Sequence, residues 1–400
     1  CFSAVILHHF KGFAISDGIS SFPLFYAKVN GELMISDDAR KLTKAGNDIS
    51  NTNTRHFEFF SICPGRDTLL NGVFQLLAGE VLTWDNENTS IRQHGNLGRS
   101  SLEKSKDIQA VWDKVLDKLL SGNQPTKWLI PLSGGWDSRL LLASLLDRGV
   151  RNIVTYTYGS KDSFEVQSAR SVAKKLGVEW HFVEYDNECL SAFWNPDIQS
   201  FFLKECKGAF SIQEQELFAL LQLKEQGIIS SGYRALPGYC CDLLAGSYTI
   251  PGIREADNYN EEIAMQWIRA KHLSFVQSTE RIEEAERLLL PQLFDGDFKT
   301  MGECMNHYEK WFTQQKVSKY VLSGLRSFEF MGIEWRLPYW DREWMNLWYD
   351  TNLEERWNRT LFKQWANHRY FIPMEIQMDE DQRPVFVANG WKERLRLRYS

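Results

Sequence analysis

Four hundred residues, 43% apolar and 24% charged, make a globular chain with room for one large domain and a smaller one, and exclude a disordered or fibrous protein. A formal charge of −6 argues against a general binder of nucleic acid or anionic membranes, and no apolar run is long enough to span a bilayer. Fifteen Trp, 14 Tyr and 25 Phe suit thick cores, aromatic-lined pockets or a subunit interface, and composition does not separate these.

The chain opens at Cys1 without an initiator Met, and whether residues precede it is left open. Short β-like runs follow over the first 85 residues: "CFSAVILHHF", read as a core strand, then "GFAIS", "PLFYAKV", "ELMIS" and "GEVLTWD", with "KVNGEL" supplying the Asn-Gly signal of a tight hairpin. Residues 42–56 read as a polar loop. This small β unit is thin, and its sheets need a cover. A polar stretch at 85–107 reads as a boundary, giving domains 1–105 and 106–400.

Beyond it, "IQAVWDKVLDKLL" is an amphipathic helix, "KWLIPL" a buried strand and "SRLLLASLLDRG" a helix. "NIVTYTYG", "SFEVQSARSVAKKLG" and "EWHFVEY" continue as strand, helix and strand, and "GIISSG" at 227–232 reads as another buried strand. Such alternation predicts βαβ units around a mainly parallel sheet. From about 252 the pattern is helical. The basic tail "WKERLRLRYS" reads as a solvated terminus or subunit contact. The seven cysteines show neither an even count nor paired metal-ligand spacing, and the adjacent Cys240 and Cys241 read as reduced packing residues and not as a disulfide. With no secretion signal, a cytoplasmic location is expected.

The most informative stretch is Ser133-Gly134-Gly135-Trp136-Asp137-Ser138, between a buried strand and a helix. Small residues at that turn present backbone N–H groups and the positive end of the helix dipole, with hydroxyls from Ser133 and Ser138, which suits a phosphate or pyrophosphate. It matches neither a Walker loop nor the usual dinucleotide fingerprint. Asp137 would repel phosphate unless a cation, Mg²⁺, bridges the two.

This turn resembles the SGGxDS pyrophosphate loop of the ATP pyrophosphatase superfamily, in the form carried by the asparagine synthetase family. Further blocks follow in family order: "DGISSFPLFYAKVNGELMISDDARKL", "PGRDTLLNGVFQLLAGEVLTWD", "SSGYRALPGYCCDLLAGSY" and "EWRLPYWD". The resemblance implies an α/β fold: a parallel-sheet ATP pyrophosphatase (adenine nucleotide alpha hydrolase-like) domain with a helical C-terminal part, after a small, mostly β remnant of an N-terminal-nucleophile amidohydrolase domain. It implies that Leu132, Ser133, Gly134, Gly135, Asp137, Ser138, Thr155, Tyr156, Gly159 and Gly232 bind ATP. Asp137 and Asp242 would hold Mg²⁺, and Arg359, Lys363 and Asp242 would serve catalysis. Arg234, Glu334 and Arg336 would meet the substrate. Lys161 or Asp162 could reach ribose or phosphate, and Glu165 could be a helix-start acid with no ligand.

Several positions depart from the family. Cys1 is followed by Phe2-Ser3 and not by the Gly-Ile of a glutaminase nucleophile, so nitrogen is expected from ammonia or an amine, or from a separate glutaminase subunit. The family's Asp-Glu pair is reduced to Asp242-Leu243. Arg359 stands where the family carries Lys, with Lys363 one helical turn on, and the sequence leaves open which points inward. The expected activity is an AMP-forming amide ligase acting through an acyl-adenylate, with a sugar carboxylate of surface polysaccharide synthesis as first acceptor. Asparagine synthesis, peptide or lactam cyclisation, and a non-catalytic scaffold are the alternatives. A homodimer is the candidate assembly.

Overall fold

The N-terminal runs pair largely as their alternation predicts. In the computed structural model, which describes residues 1–9, 11–43, 49–85, 88–94, 107–186, 195–209, 211, 213, 215–248, 258–273, 278–293 and 297–378, strands β1 (Ser3–His8), β2 (Lys11–Ser16), β6 (Glu80–Trp84) and β7 (Thr89–Gln93) form an antiparallel sheet in the order β1-β2-β6-β7. Strands β3 (Phe25–Val29), β4 (Glu32–Ser36) and β5 (Val73–Gln75) form a second, in the order β4-β3-β5. Asn30 and Gly31 both take positive φ between β3 and β4, as a two-residue hairpin turn requires.

Three expectations here need correction. Strand β1 lies at a sheet edge, with Val5, Ile6 and Leu7 exposed, so Cys1, itself exposed, is not in a core strand. Residues 51–56 are not loop: Asn51–Phe60 is a helix that Ser50 caps by accepting the Asn53 N–H at 3.2 Å. Part of the polar boundary is strand β7, whose side chains are mostly exposed because it too is an edge.

The chain divides into two compact units, Cys1–Arg99 with Pro196–Gln213 and Ile250–Ser323, and Ser100–Asn195 with Glu214–Thr249 and Gly324–Ser400. Helices Pro196–Glu205, Glu261–His272, Thr279–Leu293 and Met301–Phe312 belong to the first unit together with its two sheets. Gln314 donates from its amide to the Ala78 carbonyl at 3.0 Å, joining the helical part to the turn before β6.

The second unit is built on five parallel strands, β8 (Trp128–Pro131), β9 (Ile153–Gly159), β10 (Glu179–Glu184), β11 (Arg234–Ala235) and β12 (Glu334–Trp335), in the order β10-β9-β8-β11-β12. Strand β11 corrects the expected strand at 227–232. Gly227 and Gly232 both take positive φ, which turns the chain at each end of that stretch, and pairing begins only at Arg234. The C-terminal part is helical, as expected, with Arg342–Asp350 and Thr360–Ala366 among its helices.

Much of the aromatic content fills this unit's core. Trp112 stacks on Tyr339 at 5.3 Å, meets Trp344 at 4.7 Å and donates its indole N–H to Ser144 Oγ at 2.9 Å. Burying a ring system of this size contributes about 5 kcal/mol gross. The cluster runs on through Trp348 and Phe362 to Trp136, at the start of the helix after the glycine turn. The core thus supports the turn from behind. Among the described residues no helix is long and apolar enough to cross a membrane. The six described cysteines are free; Cys189 and the basic tail lie outside the described residues.

Candidate active site

Strand β8 ends at Pro131, and the backbone turns at once into helix Trp136–Asp147. The Leu132 N–H donates to the Tyr156 carbonyl at 2.8 Å, and the Thr157 hydroxyl donates to the Leu132 carbonyl at 2.6 Å, fixing the turn to β9. Within it, the Ser133 N–H donates to Ser138 Oγ at 3.0 Å and the Gly135 N–H to Ser133 Oγ at 3.2 Å. Glycine is required for close approach: a Cβ on Gly134 would stand 2.9 Å from Glu165 Cα.

The turn opens into a cavity of about 480 Å³ at the carboxyl ends of β8 and β9, where ligands of open α/β sheets bind. Its walls include Ser133, Gly135, Asp137 and Ser138 from the turn, Tyr156 and Tyr158 from β9, Glu165 and Glu216 from two helices, and Tyr239, Asp242 and Arg359. The Asp242 N–H donates to Asp137 Oδ2 at 3.1 Å, and Ser247 Oγ donates to Asp242 Oδ2 at 3.0 Å. Two acidic residues far apart in sequence thus meet across the turn.

Leu132, Ser133, Gly135, Asp137, Ser138, Tyr156, Asp242 and Arg359 all line the cavity. Of Arg359 and Lys363, Arg359 lines the cavity, while the Lys363 ammonium lies 5.8 Å from the ring centroid of Trp136, itself a lining residue. Gly134 supports the turn from behind. Thr155 points away, donating to the Glu179 carbonyl at 2.8 Å, and Gly159 ends β9. Lys161 stands 4.0 Å from Glu184, and neither it nor Asp162 lines the cavity.

Gly232, Arg234, Glu334 and Arg336 are not brought to the cavity. Arg234 pairs in register with Trp128, the first residue of β8, and Glu334 with Arg234, so Arg234 and Glu334 lie at the starting end of the sheet. There Arg234 and Arg336 form ion pairs with Glu334 at 2.9 and 3.3 Å, while the Gly232 carbonyl accepts the Thr126 N–H at 2.9 Å. Parallel strands carry their ligand site at the opposite end.

Sequence reasoning passed over Glu216, Tyr158, Tyr239 and Gly238. Glu216 is buried at the start of helix Gln215–Glu225 and accepts hydrogen bonds from the phenols of Tyr156 and, at 3.0 Å, Tyr239. Burial raises the Glu216 carboxyl above its ordinary range and holds both phenols well above theirs. Burial, then the Asp242 and Asp137 charges, keeps the Cys240 thiol protonated; burial with the same charges does so at Cys241. Both therefore act as packing residues. The one sequence signal for Glu216 is an acid among apolar residues in "QELFALLQL".

Four carboxylates, from Asp137, Glu165, Glu216 and Asp242, face one cation, Arg359, among the described lining residues. The buried Trp136 indole N–H has no acceptor among the described residues. No group of three or more His, Cys, Asp or Glu suited to a metal occurs among the described residues.

A strand-turn-helix motif beside two acids, on a five-stranded parallel sheet with helices, is the α/β architecture of an ATP pyrophosphatase-type domain. Residues 127–380, well over half of the chain, match the asparagine synthase family, and the chain belongs to it. That membership makes it a ligase of the ATP-dependent, amide-forming kind. No curated protein matches.

Among solved structures the chain is similar to an NH3-dependent NAD synthetase from Campylobacter jejuni, at 19% identity over 52% of this chain and 96% of that one, TM-score 0.27. It is also similar to a U34-tRNA thiolase from Methanococcus maripaludis with its 4Fe-4S cluster, at 15% identity, 55% and 79% coverage and TM-score 0.25. A glutamine-dependent NAD+ synthetase from Acinetobacter baumannii in complex with ADP gives 14%, 58% and 54%, and 0.22.

Proposed function

We propose that the chain joins a carboxylate to a nitrogen nucleophile through an acyl-adenylate, with the cavity at Ser133–Ser138 receiving the triphosphate of ATP. The observation that carries this reading is the meeting of the glycine turn, Asp137, Asp242 and Arg359 around one cavity. A substrate carboxylate oxygen bonds to the α-phosphorus, the bond from that phosphorus to the bridging oxygen breaks, and pyrophosphate leaves into the turn. The amine nitrogen then bonds to the acyl carbon and AMP departs. Positioning and charge neutralisation carry most of the acceleration, and no side-chain nucleophile is needed.

The donor set fits Mg²⁺, which takes one or two carboxylates and completes its shell with phosphate oxygens and water. Asp137 and Asp242 would hold it, and it would offset charge on the phosphates. Arg359 adds the second positive element. An anion entering beside four carboxylates needs both.

The acceptor proposed is a sugar carboxylate, on the resemblance of the blocks at 231–248 and 328–341; the Arg234, Glu334 and Arg336 group, outside the cavity, does not support it. Ammonia, an amine or a separate glutaminase subunit would supply nitrogen. The division into a remnant at 1–105 and a ligase domain at 106–400, the homodimer and the cytoplasmic location belong to the same proposal.

Pyrophosphate release is measured with nucleotide-linked uronic acids, aspartate and peptides, each with ammonium, Mg²⁺ and ATP. Turnover with a uronic acid, abolished in Asp137→Ala, is expected. Turnover with aspartate alone rejects the sugar and leaves asparagine synthesis; no release with any carboxylate, together with no ATP binding by calorimetry, rejects the ligase reading.

A further inference from the structure

We infer that Arg356 is a positioning residue that sets where Arg359 stands in the cavity, by clamping the segment that carries Arg359 onto the short helix that carries Asp242. The inference rests on the reading of the cavity as the triphosphate site.

Two observations define the clamp. Arg356 is 1% exposed, and its Nε donates to the Leu244 carbonyl at 3.0 Å, within the short helix Cys241–Ala245. Burying a guanidinium is costly where an apolar side chain could fill the space, so its place calls for a reason beyond packing. Across the same junction, Gly246 has φ +104, and a Cβ there would lie 2.2 Å from the Arg356 carbonyl oxygen. Backbone meets backbone, which only glycine permits in that conformation.

Each side of this junction leads to a cavity wall within a few residues. On one side the Gly246 and Ser247 N–H groups donate to the Asp242 carbonyl at 3.1 and 2.8 Å, and Ser247 Oγ holds the Asp242 carboxylate. On the other, Asn358 and Arg359 both take left-handed φ, 50° and 62°, before helix Thr360–Ala366 begins. Two successive non-glycine residues in that region cost energy and persist where the surroundings hold them. Here the holding point is Arg356, three residues earlier. The strained pair turns Arg359 onto the cavity wall, and the clamp fixes where that turn starts.

The test is a double-variant cycle read by calorimetry with inorganic pyrophosphate and Mg²⁺ as probe. Arg359→Ala and Arg356→Met are each expected to weaken binding about tenfold, and the double variant to be no weaker than Arg359→Ala alone, because the second residue acts through the first. A merely structural role gives losses that multiply, about a hundredfold in the double variant, and overturns the inference. Full binding in Arg356→Met, or in Arg359→Ala, overturns it as well. Arg356→Lys, which keeps the charge and loses the Nε donor to Leu244, runs the same cycle if the Met variant does not fold. A wild-type chain that binds neither pyrophosphate nor ATP defeats the triphosphate reading itself, and the positioning role with it.

Discussion

A methyl group on residue 238 would stand 3.0 Å from the Ser138 amide nitrogen and 3.3 Å from Asp137 Cβ. Gly238→Ala is therefore expected to push the turn by a few tenths of an ångström, weakening Mg-ATP binding about tenfold while moving the thermal midpoint little; calorimetry beside a melting curve checks both. Unchanged affinity would mean that the turn is not the binding surface. The turn itself was legible because Ser133, Gly134, Gly135, Asp137 and Ser138 fall within six consecutive residues and each has a separate chemical reason. Gly238 was not, since its need arises from a neighbour a hundred residues away. Arg234, Glu334 and Arg336 misled for a related reason: the sequence puts them in the right blocks, but pairing register sets Arg234 and Glu334 at the wrong end of their strands.

Helix Gln215–Glu225 shows what an element adds to the site. Its first turn places the Glu216 carboxyl between the phenols of Tyr156, on β9, and Tyr239, on the loop leading to Asp242. A carboxyl whose folded pKa is raised favours folding most below its unfolded value and gives that up as pH rises through the folded one. Ionising this carboxyl in the folded protein is therefore a cost. Glu216→Gln, which keeps an acceptor and cannot ionise, is expected to match or exceed wild-type stability at pH 7. Glu216→Ala leaves two buried phenols short of an acceptor and is expected to lose about 2 kcal/mol. Chemical denaturation of both variants decides the matter, and equal losses would show that charge is irrelevant there. Strands and helices with clean alternation, β2 and Phe164–Leu176 for example, were readable from sequence, whereas β11 was displaced by two positive-φ glycines that hydropathy does not register.

At the scale of the whole molecule, the chain leaves its first compact unit and returns to it twice; the polar stretch at 85–107 contains the first exit, whereas no boundary was expected from sequence at the return over 196–213. What the returning segment brings is visible at Lys316 and Lys319. In the first unit, Lys319 donates to the carbonyls of Cys63 and Gly65 at 2.7 and 2.6 Å, and Lys316 to the carbonyl of Phe60, the last residue of helix Asn51–Phe60. Cations suit that end of a helix. Burial nonetheless lowers both ammonium groups from 10.5 to about 8. Because the folded pKa is the lower one, the stabilising contribution is complete above the unfolded value and is lost as pH falls through the folded value near 8. Complete loss corresponds to about 3 kcal/mol per lysine as an upper figure. Buried thiols oppose this trend once unfolded cysteines begin to ionise near 9.0, so the clean window lies between pH 7.5 and 9, roughly. In that window the urea midpoint of the wild type is expected to rise with pH relative to the Lys316→Met, Lys319→Met double variant, which lacks both groups. Parallel curves for the two proteins would show that neither lysine carries a depressed pKa, and that the segment is held by its carbonyl contacts alone.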